Sequence, residues 1–146
     1  ALEALTVCQE EVSALVPDHR WSDTEPFDLT DFRERGEVLY EKIYQGVADR
    51  MMERLSVVTP DLSEWMVLEG YGKVLSRSGL DVVHRELCVC AVLACLHREK
   101  QLTSHVRGAL HVGATSDQLY QVAHVVTEWA SNASGGLLRD TISRYT

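Results

Sequence analysis

Glu86 and His105 are the two residues best placed to move protons in this sequence. Glu86 precedes a run of ten residues without charge, and His105 lies in the next segment, flanked by Ser104 and Arg107. A buried carboxylate is costly unless it is paired, and an imidazole beside a carboxylate can transfer protons near neutral pH. Two interpretations fit this pattern equally well: an acid–base pair, or a structural network of Glu86, His105 and one arginine.

Four cysteines are a second possible source of chemistry: Cys8, Cys88, Cys90 and Cys95. On a helix, Cys88 and Cys90 point about 200° apart, and Cys88 and Cys95 lie about 10 Å apart, too far for a disulfide. Without a second cluster, a zinc site or other metal site is not expected. We therefore predict buried, inert thiols and a reducing, cytoplasmic setting.

Two helices in the middle of the chain must position Glu86 and His105. The apolar run predicts a central core helix over residues 81–96, capped by Asp81, and a second helix over residues 101–112. Apolar spacing predicts further helices, and no segment alternates in the way that indicates a strand. The fold class is therefore all-α with about seven helices. The others are predicted over residues 2–16, 31–58, 62–75, 116–129 and 137–145, and a break near Gly46 that divides the second of these is the alternative.

Local signals predict the ends and faces of some of these helices. Thr30 and Ser116 are the expected N-caps of two of them, and residues 131–136 are expected to form a loop. Trp65 and Val74 are expected to face the core from the helix over residues 62–75.

Tyr71 lies between two glycines, Gly70 and Gly72, inside one of these predicted helices. Each glycine costs a helix roughly 1 kcal/mol relative to alanine. Close packing of another backbone would explain the pair, and so would a ligand that approaches Tyr71. Tyr71 is therefore a candidate substrate-binding residue.

Length and charge restrict the classes of protein. The chain has 146 residues, 45% of them hydrophobic, and a formal net charge of -8. This predicts one globular domain, and the acidic balance argues against nucleic acid as a partner. We find no apolar run long enough for a membrane span and no signal peptide. The chain starts at Ala1 without Met, which is expected of a processed or trimmed product.

The first 30 residues differ from the remainder. Residues 1–30 are predicted to form an N-terminal helix followed by an extended arm that carries Trp21 and Phe27. That arm would either pack on a partner subunit or form a loose surface loop. Residues 31–146 are predicted to form the helical domain.

Three stretches carry a resemblance to a known family. RELCVCAVLACL from Arg85, SHVRGALHVGAT from Ser104 and the lead-in EGYGKVLSRSGL from Glu69 resemble the carboxymuconolactone decarboxylase family of the alkylhydroperoxidase D-like superfamily. The resemblance covers roughly residues 62–126. It implies an alkylhydroperoxidase D-like helical bundle that forms homo-oligomers, usually trimers or hexamers. Residues 1–16 also look like the last helix of a preceding copy of the same unit.

The resemblance implies two activities. The peroxidase branch uses a Glu, a CxxC pair and a His, and matching Glu86 and His105 places Arg98 and Gln101 where the cysteines should be. Thiol-dependent peroxide reduction is therefore not expected. Members of the decarboxylase branch are carboxy-lyases that act without a cofactor on a small carboxylated lactone. In this sequence the resemblance implies that His105 transfers the proton and that Glu86 is its partner.

Arg107 would hold the carboxylate of such a substrate through bidentate bonds. On one helix, however, His105 and Arg107 point in different directions, so the His of one subunit and the Arg of another would meet at an interface. The alternative is a non-catalytic, oligomeric member of the family that serves binding or assembly.

Overall fold

The computed structural model describes residues 26–146, so the predicted helix over residues 2–16 and nearly all of the arm lie outside the described residues. The all-α prediction is confirmed, and the described residues contain no strand. A 3-10 turn spans Gln45–Val47 and a π-helical segment spans Met66–Leu75. The α-helices are α1 Leu29–Tyr44, α2 Ala48–Val58, α3 Pro60–Trp65, α4 Val82–Cys95, α5 Glu99–Val112, α6 Ser116–Trp129 and α7 Asn132–Ile142.

The described residues bury two groups of side chains. The aliphatic cluster joins α4, α5, α6 and α7, and its members are Leu87, Cys90, Ala94, Leu102, Val106, Ala109, Ala114, Leu119, Ala123, Val126, Leu138 and Ile142. The tyrosine cluster joins α1, α2 and the π-helical segment, and its members are Leu39, Tyr40, Ile43, Tyr44, Ala48 and Tyr71. The first cluster consists of hydrocarbon side chains and one thiol, whereas the second also contains three hydroxyl groups that need hydrogen-bond partners.

The central helix α4 begins as predicted and is buried differently from the prediction. The Asp81 side chain accepts a hydrogen bond from the His84 backbone N–H, which confirms the N-cap. One face of α4 is buried, but Cys88, Val92 and Cys95 are exposed on the other. The prediction of a helix buried all round is therefore wrong for the single chain, because α5, α6 and α7 cover only one side of α4.

Three other helix starts differ from their predictions by one to several residues. Asp28, not Thr30, caps α1, because its carboxylate accepts from two backbone N–H groups of the first turn. Thr115, not Ser116, caps α6 in a reciprocal pair with the Gln118 side chain. Ser131 caps α7 at the start of a stretch that we predicted to be a loop. In each case a side-chain oxygen near the predicted residue satisfies the free amides of the first turn.

The π-helical segment explains two wrong predictions. Trp65 and Val74 were expected to point inward, yet they are 59% and 57% exposed. The wider π-helical turn shifts the inward-facing register relative to an α-helix, and Tyr71 and Gly72 face the core instead. The expected close backbone contact does occur, since a Cβ on Gly72 would lie 2.0 Å from the Phe32 carbonyl oxygen of α1.

Within residues 26–146, none of the helices has the length and apolar character needed to cross a bilayer.

Candidate functional site

Glu86 and His105 lie side by side across the α4–α5 contact. His105 Nδ1 is 2.8 Å from Glu86 Oε2, so an imidazole N–H donates to the carboxylate. Glu86 is fully buried, whereas the His105 side chain keeps 17% of its surface exposed. The carboxylate therefore fixes the orientation of the ring from inside, and the outer edge of the imidazole remains accessible.

The second oxygen of Glu86 is unusual. Oε1 is buried and has no hydrogen-bond partner among the residues that the structure describes. An unsatisfied buried carboxylate oxygen costs free energy. Burial raises the pKa of three neighbours, Tyr44, Tyr71 and Cys90, and the Glu86 carboxylate raises the pKa of each further. Its charge thus acts on both clusters.

Gly108 makes room for this carboxylate. A Cβ at this position would lie 2.7 Å from Ile43 Cγ2 and 3.4 Å from Glu86 Oε2. One turn further along α5, His111 Nδ1–H donates to the Ile43 carbonyl oxygen over 2.6 Å. The glycine and the second histidine of the SHVRGALHVG stretch therefore fasten the end of α1 to α5 beside the Glu86–His105 pair.

Arg85, the neighbour of Glu86, has a structural position. Its guanidinium donates to the backbone carbonyls of Leu80, Arg77 and Ser78, at distances of 2.8, 3.0 and 3.2 Å. These bonds hold the loop that leads into α4. Arg85 thus fixes the start of the helix that carries Glu86.

Tyr71, a candidate substrate-binding residue, is only 4% exposed. Its hydroxyl donates to the Tyr44 hydroxyl over 2.7 Å. Tyr44, at the end of α1, is the residue of this pair that borders a cavity. Tyr44 was not among the predicted site residues; its only signal in the sequence was the spacing of Tyr40 and Tyr44 on the buried stripe of α1.

Arg107 lies on the exposed side of α5, with its guanidinium carbon 5.7 Å from the centre of the Tyr145 ring. It points away from the Glu86–His105 contact and borders the same cavity as Tyr44, together with Ser104 and His111. The structure therefore places Arg107 with Tyr44 rather than against His105.

The two largest of the described concavities lie elsewhere. A cleft of about 550 Å³ is lined by residues of α1, α2 and α3 and by acidic side chains such as Glu37 and Glu41. A groove of about 470 Å³ runs between α4 and α6, beside Cys88 and Val125. Neither Glu86 nor His105 lines either of them.

The cysteines are only partly as predicted. Cys90 is buried, and burial raises the pKa of its thiol, as does the nearby Glu86 carboxylate. Cys88 and Cys95 are free and exposed, so the prediction that they are buried is wrong. They lie on the outer face of α4, away from Glu86. Arg98 and Gln101 occupy the beginning of α5, where the resemblance places the peroxidase thiols.

Over residues 26–146, no group of three or more His, Cys, Asp or Glu side chains converges in a way that could hold a metal ion.

Comparisons with known proteins place this arrangement in a family. Residues 60–134, which contain Glu86, His105 and Arg107, match the model of the carboxymuconolactone decarboxylase family. The chain is 35% identical over 95 residues to a 4-carboxymuconolactone decarboxylase of Acinetobacter baylyi, covering 65% of this chain and 71% of that protein. It is 30% identical over 99 residues to peroxisomal protein 2 of Schizosaccharomyces pombe, covering 67% of this chain and 46% of that protein. The chain thus spans less than half of the yeast relative. By these matches and by its all-α fold, the chain belongs to the carboxymuconolactone decarboxylase family.

Proposed function

We propose that the protein is a cofactor-free carboxy-lyase that acts on a small carboxylated lactone or a similar acid. The observation that carries this proposal is the 2.8 Å contact between His105 Nδ1 and a fully buried Glu86 carboxylate. The similarity to a 4-carboxymuconolactone decarboxylase supports the same substrate class.

In the proposed reaction the bond between the ring carbon and the carboxylate breaks, and CO₂ leaves. The electron pair stays on the lactone as an enolate, which needs a proton and a nearby positive charge. The His105 imidazolium gives its outer N–H proton to that carbon, and the Glu86 carboxylate stabilises the imidazolium before the transfer. Because Arg107 points away from His105 of its own chain, the Arg107 that binds the carboxylate of the incoming substrate belongs to a neighbouring subunit.

Thiol-dependent peroxide reduction fits less well. Arg98 and Gln101 stand where that chemistry needs two cysteines. Among the described residues, the exposed thiols are Cys88 and Cys95, and they lie on the opposite side of α4 from Glu86. Peroxide reduction by these two thiols would therefore not involve the contact between His105 and Glu86.

A non-catalytic, oligomeric role is the second candidate function. The face formed by α4 and α6 exposes Val92, Leu96, Val125 and Trp129, with Trp129 at 82%. Exposed apolar patches are typical of surfaces that bind another protein. Self-association through this face, as the trimer or hexamer that the resemblance implies, is a proposal that analytical ultracentrifugation of the chain tests directly. A cytoplasmic location also stays a prediction.

The first experiment is an absorbance assay of the purified chain against a panel of carboxylated lactones. A parallel assay contains tert-butyl hydroperoxide and a dithiol. His105→Asn is compared with His124→Asn, which changes an exposed histidine on α6. We expect lactone turnover that falls at least about 100-fold in His105→Asn, the usual contribution of a general acid, and is unchanged in His124→Asn.

Equal turnover in the two variants would exclude His105 from the chemistry. Turnover of the peroxide would show that an exposed cysteine works from its unexpected position. Inactivity on every compound, with a stable oligomer in the ultracentrifuge, would favour the assembly role.

A further inference from the structure

A small slot lies between the end of α1 and α5, on a different face of α5 from the Glu86–His105 pair. Its volume is about 30 Å³, and its walls include the side chains of Tyr44, Met51, Ser104, Arg107 and His111. A volume of that size holds one or two water molecules. The slot therefore accepts a group of about that size, such as a carboxylate oxygen, and excludes a ring.

Two of the polar groups in this wall already have acceptors. The Ser104 hydroxyl donates to the Lys100 carbonyl oxygen over 3.3 Å. His111 Nδ1–H donates to the Ile43 carbonyl oxygen over 2.6 Å. These bonds satisfy the helix and the α1–α5 contact, so Ser104 and His111 shape the slot and are not its main donors.

Tyr44 is different, because its hydroxyl oxygen accepts a hydrogen bond from the Tyr71 hydroxyl and its own hydrogen is left for a second hydrogen bond. Burial raises the pKa of Tyr44, and the Glu86 charge raises it further, against the lowering effect of the bond from Tyr71. The Tyr44 hydroxyl is therefore a neutral donor at physiological pH. Burial also raises the pKa of Tyr71, which keeps that hydroxyl protonated and donating.

The wall of the slot carries one positive charge, that of Arg107. Its guanidinium carries five N–H donors in a plane and lies 5.7 Å from the centre of the Tyr145 ring, at the border of the slot. The described wall contains no Asp or Glu, although the whole chain carries a net charge of -8. One hydroxyl donor and one guanidinium beside an oxygen-sized space are the groups that bind one end of a carboxylate.

We propose that the slot receives one oxygen of a substrate carboxylate, with Tyr44 as a binding residue that contacts it and Tyr71 as a positioning residue that orients the Tyr44 hydroxyl. The proposal deepens the proposed function and takes from it only the class of ligand. The proposal adds the Tyr44 hydroxyl of α1 as a second hydrogen-bond donor beside Arg107 of α5. Substrate recognition would then occur where the tyrosine cluster meets the aliphatic cluster.

The test is calorimetric binding of two probes that share one ring, γ-carboxy-γ-butyrolactone and γ-butyrolactone. Tyr44→Phe is compared with Tyr40→Phe, a matched variant in the same cluster whose hydroxyl donates instead to the Ala48 carbonyl oxygen. We expect Tyr44→Phe to weaken binding of the carboxylated lactone about tenfold, as the loss of one hydrogen bond to a charged group does. Tyr71→Phe should weaken it about threefold, and Tyr40→Phe should have no effect.

The uncharged lactone should show no dependence on Tyr44. Arg107→Met, a change at an exposed position, keeps the test valid if Tyr44→Phe fails to fold, and it should weaken binding of the carboxylated lactone at least tenfold. The proposal is overturned if the wild-type chain does not bind the carboxylated lactone, if Tyr44→Phe binds it as wild type does, or if Tyr40→Phe loses as much affinity.

Failure of the slot and failure of the lyase give different results. Turnover that depends on His105, with binding that is unaffected by Tyr44→Phe and Arg107→Met, would retain the lyase and remove the slot. Binding that depends on Tyr44, with no turnover of any lactone, would retain the slot and remove the lyase.

Discussion

The aliphatic cluster and the tyrosine cluster solve the same problem with different side chains. The first fills the space between α4, α5, α6 and α7 with small and branched hydrocarbon, and seven of its members are fully buried or nearly so on α5, α6 and α7 alone: Leu102, Val106, Ala109, Leu119, Ala123, Leu138 and Ile142. The second relies on three aromatic rings whose hydroxyls bond to each other or to a carbonyl. Shape suffices for the first, whereas the second also needs directed hydrogen bonds.

The difference indicates a division of labour. Glu86 lies at the junction, because its charge acts on Cys90 in one cluster and on Tyr44 and Tyr71 in the other. The aliphatic cluster holds α4 and α5 together and so fixes the Glu86–His105 contact. The tyrosine cluster supplies polar atoms next to the slot. Stability should therefore depend more on the first, and ligand recognition more on the second.

The same substitution in the two clusters tests this comparison with the largest effect. Leu102 is completely buried in the aliphatic cluster, whereas Leu39 keeps 8% of its surface in the tyrosine cluster. We expect Leu102→Ala to lower the free energy of unfolding by about 4 kcal/mol and Leu39→Ala by about 2 kcal/mol, because a tighter surrounding leaves the larger cavity. Urea denaturation measures both, and a greater loss in Leu39→Ala would contradict the comparison.

Two glycines of the π-helical segment test the packing of α1 beside the tyrosine cluster, with the next largest expected effect. A Cβ at Gly72 would lie 2.0 Å from the Phe32 carbonyl oxygen, whereas a Cβ at Gly70 meets nothing within 4 Å. Gly72→Ala should therefore push α1 away and cost about 3 kcal/mol of unfolding free energy. Gly70→Ala should be neutral or slightly stabilising. Equal melting temperatures for the two variants would show that α1 does not approach the segment this closely.

The buried tyrosine hydroxyls should lower the free energy of unfolding at alkaline pH, by less than Leu102→Ala or Gly72→Ala does. Burial raises the pKa of Tyr40 from 10.0 to about 12, and it raises those of Tyr44 and Tyr71. The folded chain thus holds protons that the unfolded chain releases, so stability is complete below the unfolded pKa and falls as pH rises above it. The loss should be about 1 kcal/mol at about pH 10, at most about 0.4 kcal/mol from each of the three hydroxyls.

Cys90 provides the control for that pH dependence. Burial raises the pKa of its thiol from 9.0, so it contributes an earlier decline, beginning near the ordinary thiol pKa, by the same sign. In Cys90→Ala this early decline should vanish while the tyrosine part persists. Urea midpoints measured across the alkaline range separate the thiol contribution from the tyrosine contribution. If the midpoint of Cys90→Ala did not change with pH, the tyrosine hydroxyls would not contribute to the pH dependence of stability.

Local signals in the sequence were enough for part of the structure. Asp81 before an apolar run is a cap that depends only on its own helix, and the proximity of Glu86 and His105 followed from the cost of burying a carboxylate without a partner. The absence of strands among the described residues was equally predictable, since periodicity was helical throughout. Each of these features depends on a few neighbouring residues or on one dominant energy.

The features that were missed depend on contacts between distant segments. Trp65 and Val74 turn outward beside and within the π-helical segment, where α1 packs so closely that a Cβ at Gly72 would meet the Phe32 carbonyl oxygen. The start of α7 reads as a loop because of its glycines, yet Gly135 is required there, since a Cβ would lie 1.8 Å from Thr127 Oγ1 of α6. Tyr44 gained its role only from the position of Tyr71. Periodicity along one helix contains none of this information.

The outer face of α4 also gives the molecule a pair of natural attachment points. Cys88 and Cys95 are exposed and should accept maleimide dyes in the folded chain once Cys8, which lies outside the described residues, is replaced; the buried Cys90 should react only on unfolding. Two helical turns separate the outer thiols by about 10 Å. The emission of a polarity-sensitive dye at either thiol therefore reports whether water or another protein surface covers that face, and it does so without a single engineered cysteine.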